Sequence, residues 1–184
     1  MATILTILPE GFEELEAVAP IDLWRRAGFK VTVAALGSRK SVKGKNGITL
    51  EADRVMGAVG PNTIYDLLFL PGGPGVAHLR DSPEVREMVG QQFAQGGWIA
   101  AICAAPLVLH DAGLLSGRRY TAHPSAETEL TDIIEAESVV VDGKIITSRG
   151  AGTAIAFALK AIELLGSPEL AAEVALSICV EGAS

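Results

Sequence analysis

Near its middle the chain contains the segment Trp98-Ile99-Ala100-Ala101-Ile102-Cys103-Ala104-Ala105-Pro106. An apolar run of this kind is typical of a strand buried in a parallel sheet, and the small residues after the thiol favour a helix. The thiol of Cys103 therefore lies at a predicted strand-to-helix turn. Such a turn holds a side chain above the sheet, where the unpaired N–H groups of the following helix favour a thiolate. The segment predicts an α/β fold with a nucleophile at Cys103.

The same alternation of strands and helices continues on both sides of this segment. Apolar runs closed by Pro or Gly predict strands, and apolar residues at helical spacing predict helices. The predicted strands cover residues 3–8, 31–36, 65–70 and 98–102, the predicted hairpins 40–52 and 138–147, and the predicted helices 14–27, 83–94, 104–112, 152–165 and 168–178. This order predicts a doubly wound, mostly parallel sheet with helices on both faces, in a single domain over residues 1–184.

The composition limits the classes of function that we expect. Of the 184 residues, 49% are hydrophobic, which is enough for a sizeable core. The formal net charge of -7 argues against a nucleic-acid partner, because binding to phosphates needs clustered Lys and Arg. The first residues show neither the basic region of a signal peptide nor an apolar run long enough to cross a membrane. We therefore expect a cytoplasmic protein with no nucleic-acid or membrane partner.

The chain has two cysteines, Cys103 and Cys179. They are too few for a disulfide framework and lack the spacing of zinc ligands, so we expect a reducing compartment and no metal. A free cysteine at a strand end is more often inert packing than a reactive group. The small residues after Cys103 and a second glycine loop favour a reactive thiol with a lowered pKa. Cys179 falls in a predicted amphipathic helix, where we expect it to pack.

The second glycine loop is Leu70-Pro71-Gly72-Gly73-Pro74-Gly75, and it also follows a predicted buried strand. Because neighbouring parallel strands share one crevice at their carboxyl ends, we expect this loop to lie beside Cys103. The N–H groups of Gly73 and Ala104 could then form an oxyanion hole for an oxygen that gains charge after attack by sulfur. The alternative is a turn in which glycine serves only to adopt a positive φ.

Acidic residues cluster after the first predicted strand, at Glu10, Glu13, Glu14 and Glu16. The general interpretation of such residues is a set of solvated carboxylates that complement the helix dipole. Glu16 differs because Leu15 and Ala17 flank it on a helix that must bury one face. A carboxyl group held in apolar surroundings keeps its proton, so Glu16 could donate to sulfur or transfer a proton at neutral pH.

Three histidines are present, and one of them has a favourable position. His123 precedes Pro124 in a predicted loop from which an imidazole could reach a thiol, although an ordinary loop histidine is the alternative. His78 and His110 fall in predicted helices, where we expect surface or boundary residues. No His-x-Glu pair follows Cys103, and this disfavours a glutaminase-type triad.

Four segments together resemble a known family. They are Gly11-Phe12-Glu13-Glu14-Leu15-Glu16, Leu67-Leu68-Phe69-Leu70-Pro71-Gly72-Gly73, Ala100-Ala101-Ile102-Cys103-Ala104-Ala105-Pro106 and Thr147-Ser148-Arg149-Gly150-Ala151-Gly152-Thr153. Over nearly its whole length the chain is similar to the ThiJ/PfpI superfamily, in the branch of the Parkinson-associated protein deglycases. The resemblance implies a flavodoxin-like fold, with Cys103 as the reactive thiol and Glu16 as the protonated carboxyl beside it. It also implies an oxyanion and substrate site at Gly72, Gly73 and Ala104, with His123 lining the pocket.

The resemblance implies two alternative classes of function. The first is a cysteine-dependent glyoxalase or deglycase that acts on small 2-oxoaldehydes, such as methylglyoxal and glyoxal, or on early glycation adducts. Neither a cofactor nor a metal is implied for this chemistry. The second is a redox-responsive or chaperone-like protein in which Cys103 is oxidised. The family also implies a homodimer, to which the sequence itself adds only Trp24 on the first helix.

Overall fold

The computed structural model of the chain describes residues 1–60 and 63–182. Its strands form a seven-stranded sheet and a separate two-stranded sheet. The strands are β1 (Thr3–Leu8), β2 (Lys30–Ala35), β3 (Ser41–Lys43), β4 (Thr49–Glu51), β5 (Arg54–Val55), β6 (Leu67–Leu70), β7 (Trp98–Ile102), β8 (Val139–Asp142) and β9 (Ile145–Ser148). In the main sheet only β8 runs antiparallel to its neighbour, which confirms the predicted mostly parallel sheet. The single domain over residues 1–184 remains a prediction and includes four residues outside the described ranges.

The strand order of the main sheet is β5-β2-β1-β6-β7-β9-β8. From β1 the chain first goes to β2 on one side and later crosses to β6 on the other side. A crevice opens at the carboxyl ends of the strands where two such connections diverge. Leu8, Leu70 and Ile102 end the adjacent strands β1, β6 and β7 at this edge. The order confirms the flavodoxin-like fold and brings three strand ends together.

Helices cover both faces of the main sheet. They are α1 (Glu14–Arg26), α2 (Val76–Asp81), α3 (Pro83–Ala94), α4 (Pro106–Asp111), α5 (Ala154–Leu165) and α6 (Pro168–Ser177). The helices α1, α5 and α6 share one apolar core with Ile4 and Phe69, whereas α2, α3 and α4 share the other with Leu5 and Leu68. Successive strand residues point to opposite faces, so each buried strand supplies apolar side chains to both cores.

Trp24 lies at the centre of the first core and has no exposed surface. Its indole nitrogen donates to the carbonyl of Ala158 at 3.1 Å, and its ring meets Phe69 edge to face at 5.0 Å between centroids. The packing of α1 against α5 therefore depends on this side chain. Trp24 itself presents no surface to a partner subunit, so any contribution of α1 to a dimer comes from its other residues.

Several predicted boundaries differ from the structure. The helix after Cys103 begins at Pro106 instead of Ala104, because the chain first makes a turn in which Cys103 has a positive φ. The helix α2 contains His78, which is predicted to be helical, but the sequence predicts no bounds for this helix, since its six residues are too few to show a helical period. Both predicted hairpins are confirmed, as β3 with β4 and β8 with β9. No helix in residues 1–60 and 63–182 combines the length and the apolar character needed to cross a bilayer.

Candidate active site

Cys103 lies at the turn between β7 and α4, at the carboxyl edge of the sheet. Its φ of 65° is in the left-handed region, which costs an L residue roughly 1–2 kcal/mol. Two hydrogen bonds hold the backbone there: Cys103 N donates to the carbonyl of Ser148 at 2.9 Å, and His123 N donates to the carbonyl of Cys103 at 2.9 Å. The neighbouring segments thus fix a strained turn that carries a half-buried thiol.

The backbone N–H groups of Gly73 and Ala104 approach the sulfur of Cys103, and both lower the pKa of its thiol. Gly73 has a φ of 95°, and a Cβ at this position would lie 2.6 Å from the nitrogen of Glu13. Both observations require glycine at residue 73. The two donors predicted for an oxyanion hole therefore meet at the sulfur. From there they can also reach an oxygen on the carbon that the sulfur attacks.

Gly72 lies behind the sulfur and is not among the residues that line the cleft in the described part of the chain. A Cβ on Gly72 would lie 2.2 Å from Oε2 of Glu16 and 2.4 Å from Cβ of Cys103. The carbonyl of Gly72 accepts a hydrogen bond from Glu13 N at 2.9 Å. The missing side chain thus leaves the space in which the carboxyl group of Glu16 approaches the thiol.

Glu16 stands in the first turn of α1, where its own N–H donates to the Glu13 carboxylate at 2.9 Å. The Glu16 side chain is 2% exposed, and its Oε2 has no well-aligned hydrogen-bond partner among the described residues. Burial, with the nearby negative charge of Glu13, raises the pKa of Glu16 to about 7. The thiol of Cys103 and the N–H of Ala151 oppose this increase. Glu16 can therefore hold or release a proton near neutral pH.

The pKa of the Cys103 thiol is raised to about 12, first by burial and then by the charge and hydrogen bonding of Glu16. The N–H groups of Gly73 and Ala104 lower it only in part. The predicted lowered thiol pKa is wrong for this reason, and also because α4 begins three residues after the sulfur and has only six residues. Two adjacent buried groups do not both carry negative charge, so Cys103 keeps its proton when Glu16 ionises near neutral pH.

His123 is held by the turn that follows it. Its Nδ1 accepts a hydrogen bond from Ser125 N at 3.1 Å and lies 2.9 Å from the Ser125 hydroxyl. The neutral imidazole therefore carries its proton on Nε2. A Cβ on Gly150 would lie 3.5 Å from both Cδ2 of His123 and Oε1 of Glu16, so these two side chains flank Gly150. The predicted histidine thus lies at the site, and in the described part of the chain its ring bonds to Ser125 and not to the sulfur of Cys103.

Known proteins are similar to this chain in both sequence and fold. A match to the DJ-1/PfpI family covers residues 2–164. The chain belongs to the DJ-1/PfpI family. Protein dj-1beta of Drosophila melanogaster is 41% identical over 180 residues, which is 96% of each chain. The glutathione-independent glyoxalase DJR-1.2 of Caenorhabditis elegans is 33% identical over 183 residues, 97% of this chain and 96% of that one.

Solved structures of DJ-1 proteins agree with this assignment. The structure of oxidized Toxoplasma gondii DJ-1 matches with a TM-score of 0.93 at 38% identity, over 98% of this chain and 100% of that one. The resemblance noted in the four sequence segments is therefore confirmed, and so is the fold class that it implied.

In this DJ-1/PfpI protein the candidate active site is a cleft of about 470 Å³. Its lining includes five of the six predicted site residues, namely Cys103, Glu16, Gly73, Ala104 and His123. Another cavity, of about 530 Å³, lies beside α3 and is lined by neither a cysteine nor a histidine. Of these two cavities, the first therefore brings a thiol together with a carboxyl group and an imidazole, and the second does not. Within residues 1–60 and 63–182, no three His, Cys, Asp or Glu side chains are arranged to hold a metal ion.

Several residues that line the cleft of this family member are not predicted as site residues by any local sequence pattern. Lys45 comes from the β3–β4 hairpin, Arg80 from α2, and Ser125 from the turn after His123. Arg80 is paired with Asp111 at 2.7 Å and with Glu129 at 2.6 Å. These residues reach the cleft through tertiary contacts between segments that are distant along the chain. The sequence would predict Lys45 as a cleft residue only if it showed that the β3–β4 hairpin contacts the loop between β1 and α1.

The acidic cluster is more buried than the sequence predicts. Glu13 is 6% exposed and caps α1, and Glu14 is 5% exposed. The Glu14 carboxylate accepts hydrogen bonds from Asn46 N at 2.7 Å, Asn46 Nδ2 at 3.0 Å and Ile48 N at 3.3 Å. Although burial opposes ionisation, these bonds keep the pKa of Glu14 below its usual range. The interpretation as solvated carboxylates is therefore wrong for Glu13 and Glu14, because both hold neighbouring backbone in place.

The remaining predicted residues lie away from the cleft. His78 and His110 are exposed on α2 and α4, as expected for surface histidines. Cys179 is exposed and lies after the end of α6, with a left-handed φ of 59°. The expected packing of Cys179 inside a helix is therefore wrong, because α6 ends at Ser177 and the chain turns before the thiol.

Proposed function

We propose that the protein is a cysteine-dependent, glutathione-independent glyoxalase that converts small 2-oxoaldehydes, such as methylglyoxal and glyoxal, into hydroxy acids. The observation that carries this proposal is the arrangement of the Cys103 sulfur between two N–H donors and a buried carboxyl whose pKa is raised to about 7. A general base is most effective when its pKa lies near the working pH. The relation to a nematode protein named a glutathione-independent glyoxalase supports the same activity.

In the first step the sulfur of Cys103 adds to the aldehyde carbon. The Glu16 carboxylate takes the thiol proton as the C–S bond forms, and the carbonyl electron pair moves to oxygen. The N–H groups of Gly73 and Ala104 stabilise that oxygen as its charge develops. Glu16 then returns the proton to the oxygen, which gives a neutral hemithioacetal. The raised pKa of the resting thiol is compatible with this step, because the proton leaves the sulfur only as the sulfur attacks.

In the second step Glu16 removes the hydrogen of the former aldehyde carbon as a proton. The electron pair moves toward the neighbouring ketone, which gives an enediol, and the proton is returned to the former ketone carbon. One carbon is oxidised and its neighbour reduced, so no external oxidant is needed. Water then breaks the C–S bond of the resulting thioester, releasing lactate from methylglyoxal and restoring the thiol. His123, with a proton on Nε2, would donate that proton to the former ketone oxygen as the enediol forms, and it would regain a proton from the hydroxyl group of the former aldehyde carbon as the thioester forms.

The same chemistry extends to early glycation adducts of proteins, for which the chain would act as a deglycase. The cleft of about 470 Å³ is larger than methylglyoxal requires. An adduct presents its aldehyde-derived carbons at the end of a side chain, and such an end can enter an open cleft. Loss of free aldehyde alone also reduces adduct formation, so the two activities must be measured on separate substrates.

The test is turnover of methylglyoxal by the wild-type protein beside Cys103→Ser, Glu16→Gln and Cys179→Ser. Cys179 is exposed and remote from the cleft, so its variant is a matched control for loss of a thiol. We expect lactate from the wild type and Cys179→Ser, no lactate from Cys103→Ser, and at least a roughly hundredfold loss of kcat in Glu16→Gln. Lactate production by folded Cys103→Ser would contradict the proposal.

A second candidate function is a redox response through Cys103. The structural relative from Toxoplasma gondii was solved in an oxidized form, and the site here offers hydrogen bonds from Gly73 and Ala104 to an oxidised sulfur. Two molecules of hydrogen peroxide would convert the thiol to a sulfinic acid and form two of water. Selective addition of two oxygen atoms to Cys103 in a wild-type protein that shows no aldehyde turnover would favour this candidate over the glyoxalase.

We also propose that the chain forms a homodimer through an apolar patch. The patch consists of Leu15, Val18, Ile48 and Ile155, which are 61%, 40%, 56% and 45% exposed. Leu15 and Val18 lie three residues apart on α1, and Ile48 is held near them because its N–H donates to Glu14. The helix α5, which begins at Ala154, packs against α1. Exposed apolar residues that cluster in this way are typical of a protein interface.

A further inference from the structure

Lys45 lines the same cleft as Cys103. In the described part of the chain no carboxylate lies within 4.0 Å of its ammonium group, so it belongs to no ion pair. Arg80 lines the cleft too, but its guanidinium is engaged by Asp111 and Glu129. Lys45 is therefore the uncommitted cation among the described residues that line the cleft.

The backbone that carries Lys45 is fixed in place. Lys45 N donates to the carbonyl of Phe12 at 2.9 Å, and Gly11 N donates to the carbonyl of Lys43 at 2.8 Å. The Glu14 carboxylate holds the next residue of the hairpin through the two hydrogen bonds from Asn46. Gly44 packs so closely on Glu14 that a Cβ would lie 2.5 Å from its Oε1. The cation is thus presented at the cleft by a rigid support and not by a free loop.

Apart from the paired Arg80, the other charged side chains that line the cleft disfavour an anion. Glu13 lines the cleft, and Glu16 beside Cys103 ionises near neutral pH, so it also contributes negative charge. An anionic ligand would be repelled by these groups unless a cation faced it. The charge of Lys45 already acts on the site, because it lowers the pKa of Glu16. Its flexible stem leaves the ammonium group free to meet a ligand at the cleft.

We propose that Lys45 forms an anion subsite beside the nucleophile, which selects aldehydes that carry a carboxylate. The substrate class is then a 2-oxoaldehyde, or an early glycation adduct, whose reacting carbons lie close to an acidic group. This inference rests on the proposed glyoxalase activity for the identity of the substrate. The anion subsite itself is a property of the cleft that can be measured without turnover.

The first test compares two alkylating reagents of nearly equal shape, anionic iodoacetate and neutral iodoacetamide. The rate constant for Cys103 is followed by peptide mass spectrometry with each reagent, and their ratio is compared between wild type and Lys45→Gln. We expect the ratio of iodoacetate to iodoacetamide to fall roughly tenfold in Lys45→Gln. At roughly 1 M salt the difference should largely disappear, because the screening length falls to about 3 Å.

The chain supplies three matched controls. Lys43→Gln removes the same charge from an exposed position of the same hairpin that does not line the cleft, and it should leave the ratio unchanged. Lys45→Arg keeps the charge and should retain the ratio. Cys179, an exposed thiol in the same molecule, should show no response to the Lys45 substitution. Circular dichroism checks that each variant is folded.

Two outcomes would overturn the inference, an unchanged ratio in Lys45→Gln or an equal change in Lys43→Gln. An equal loss of rate with both reagents at Cys103 is one form of the first outcome, and it would mean that Lys45 alters thiol ionisation and binds no anion. If methylglyoxal is not turned over and the ratio still falls, the anion subsite stands while the glyoxalase proposal fails.

A second test measures the substrate class directly. Wild type and Lys45→Gln are compared for kcat/KM on methylglyoxal and on dioxovalerate, a 2-oxoaldehyde with a terminal carboxylate. We expect the preference for dioxovalerate over methylglyoxal to fall roughly tenfold in Lys45→Gln, mainly through KM. Turnover of methylglyoxal with a preference that Lys45→Gln does not change would refute the subsite and leave the glyoxalase proposal intact.

Discussion

Glu16 and Cys103 are adjacent buried groups, and a negative charge on one disfavours a negative charge on the other. The carboxylate raises the pKa of the thiol, and burial raises the pKa of both groups. A preformed thiolate beside an ionised Glu16 would place two negative charges in one small space, which is unfavourable. A proton that moves from sulfur to carboxylate during attack avoids this cost. In the proposed mechanism the two groups act as a unit for this reason, with Glu16 as the general base and Cys103 as the nucleophile.

This coupling predicts that Glu16→Gln makes Cys103 more reactive at about pH 9. In the wild type Glu16 is ionised above its pKa of about 7, and its charge keeps the thiol protonated. Glutamine removes the charge, so the thiol pKa falls below about 12 while burial still holds it above the ordinary value. Alkylation by iodoacetamide should become roughly threefold faster for each unit by which the pKa falls, since lower nucleophilicity offsets part of the gain in thiolate.

The measurement is the alkylation rate of Cys103 across pH, with Cys179 as the reference thiol in the same molecule. Below about pH 6 Glu16 holds its proton, so the wild type and Glu16→Gln should differ much less. Slower alkylation of Glu16→Gln at alkaline pH would show that the carboxyl stabilises a thiolate, contrary to this account.

Single residues differ in how well the sequence predicts them. Cys103 and Gly73 follow buried strands directly, so local pattern and the rules of parallel sheets locate both at one edge. Glu14 and Lys45 take their roles from partners that lie about thirty residues away along the chain, such as Asn46 for Glu14. The spacing of residues within a single helix or strand does not indicate such a contact. The burial that raises the thiol pKa is likewise a property of the assembled cleft.

The helix α6 is followed by a cysteine whose backbone adopts a left-handed conformation, which is unfavourable for a residue with a side chain. Cys179 N donates to the carbonyl of Leu176 at 3.1 Å, and Val180 N donates to the carbonyl of Ala175 at 3.0 Å. These bonds close the helix with Cys179 at a φ of 59°, where glycine is the usual residue. The thiol is exposed, so it gains little packing in return.

We therefore expect Cys179→Gly to increase the free energy of unfolding by roughly 0.5–1 kcal/mol. Glycine removes left-handed strain of about 1–2 kcal/mol, and the greater freedom of glycine in the unfolded chain offsets part of this gain. Urea denaturation of wild type, Cys179→Gly and Cys179→Ser provides the comparison. Serine keeps a Cβ at the same φ and should give no gain; a stability equal to that of Cys179→Gly would contradict the explanation.

The sequence predicts strands and hairpins better than the helix after the nucleophile. Pro9, Pro71 and the turn Asn46-Gly47 mark ends that the structure retains within one to three residues. The start of α4 is missed because a single left-handed residue, Cys103, delays the helix to Pro106. The small residues after Cys103 have a high average helix propensity, which predicts an earlier helix start. Helix propensity does not predict the strained turn that these residues also allow.

For the whole molecule, the strand order assembles the site from segments far apart in the chain. The segments that follow β1, β6 and β7 supply Glu16, Gly73 and Cys103, and the turn after β9 adds the N–H of Ala151. A crossover between β1 and β6 is what opens space for a ligand at this edge. The alternation of strands and helices is enough to predict that the site lies at this edge of the sheet. The exposed apolar patch is not predicted in this way, because it depends on how α1, α5 and the β3–β4 hairpin pack together.

The apolar patch predicts that Leu15→Glu converts a dimer into a monomer. A carboxylate at a residue that is 61% exposed costs the isolated chain little, but in a dimer it would be buried without a partner. Sedimentation should give a particle of twice 19.1 kDa for the wild type and of 19.1 kDa for Leu15→Glu. Leu176→Glu, at a 52% exposed position on α6 outside the patch, should remain dimeric. A wild-type particle of 19.1 kDa, or equal dissociation of Leu176→Glu, would mean that the patch is not the interface.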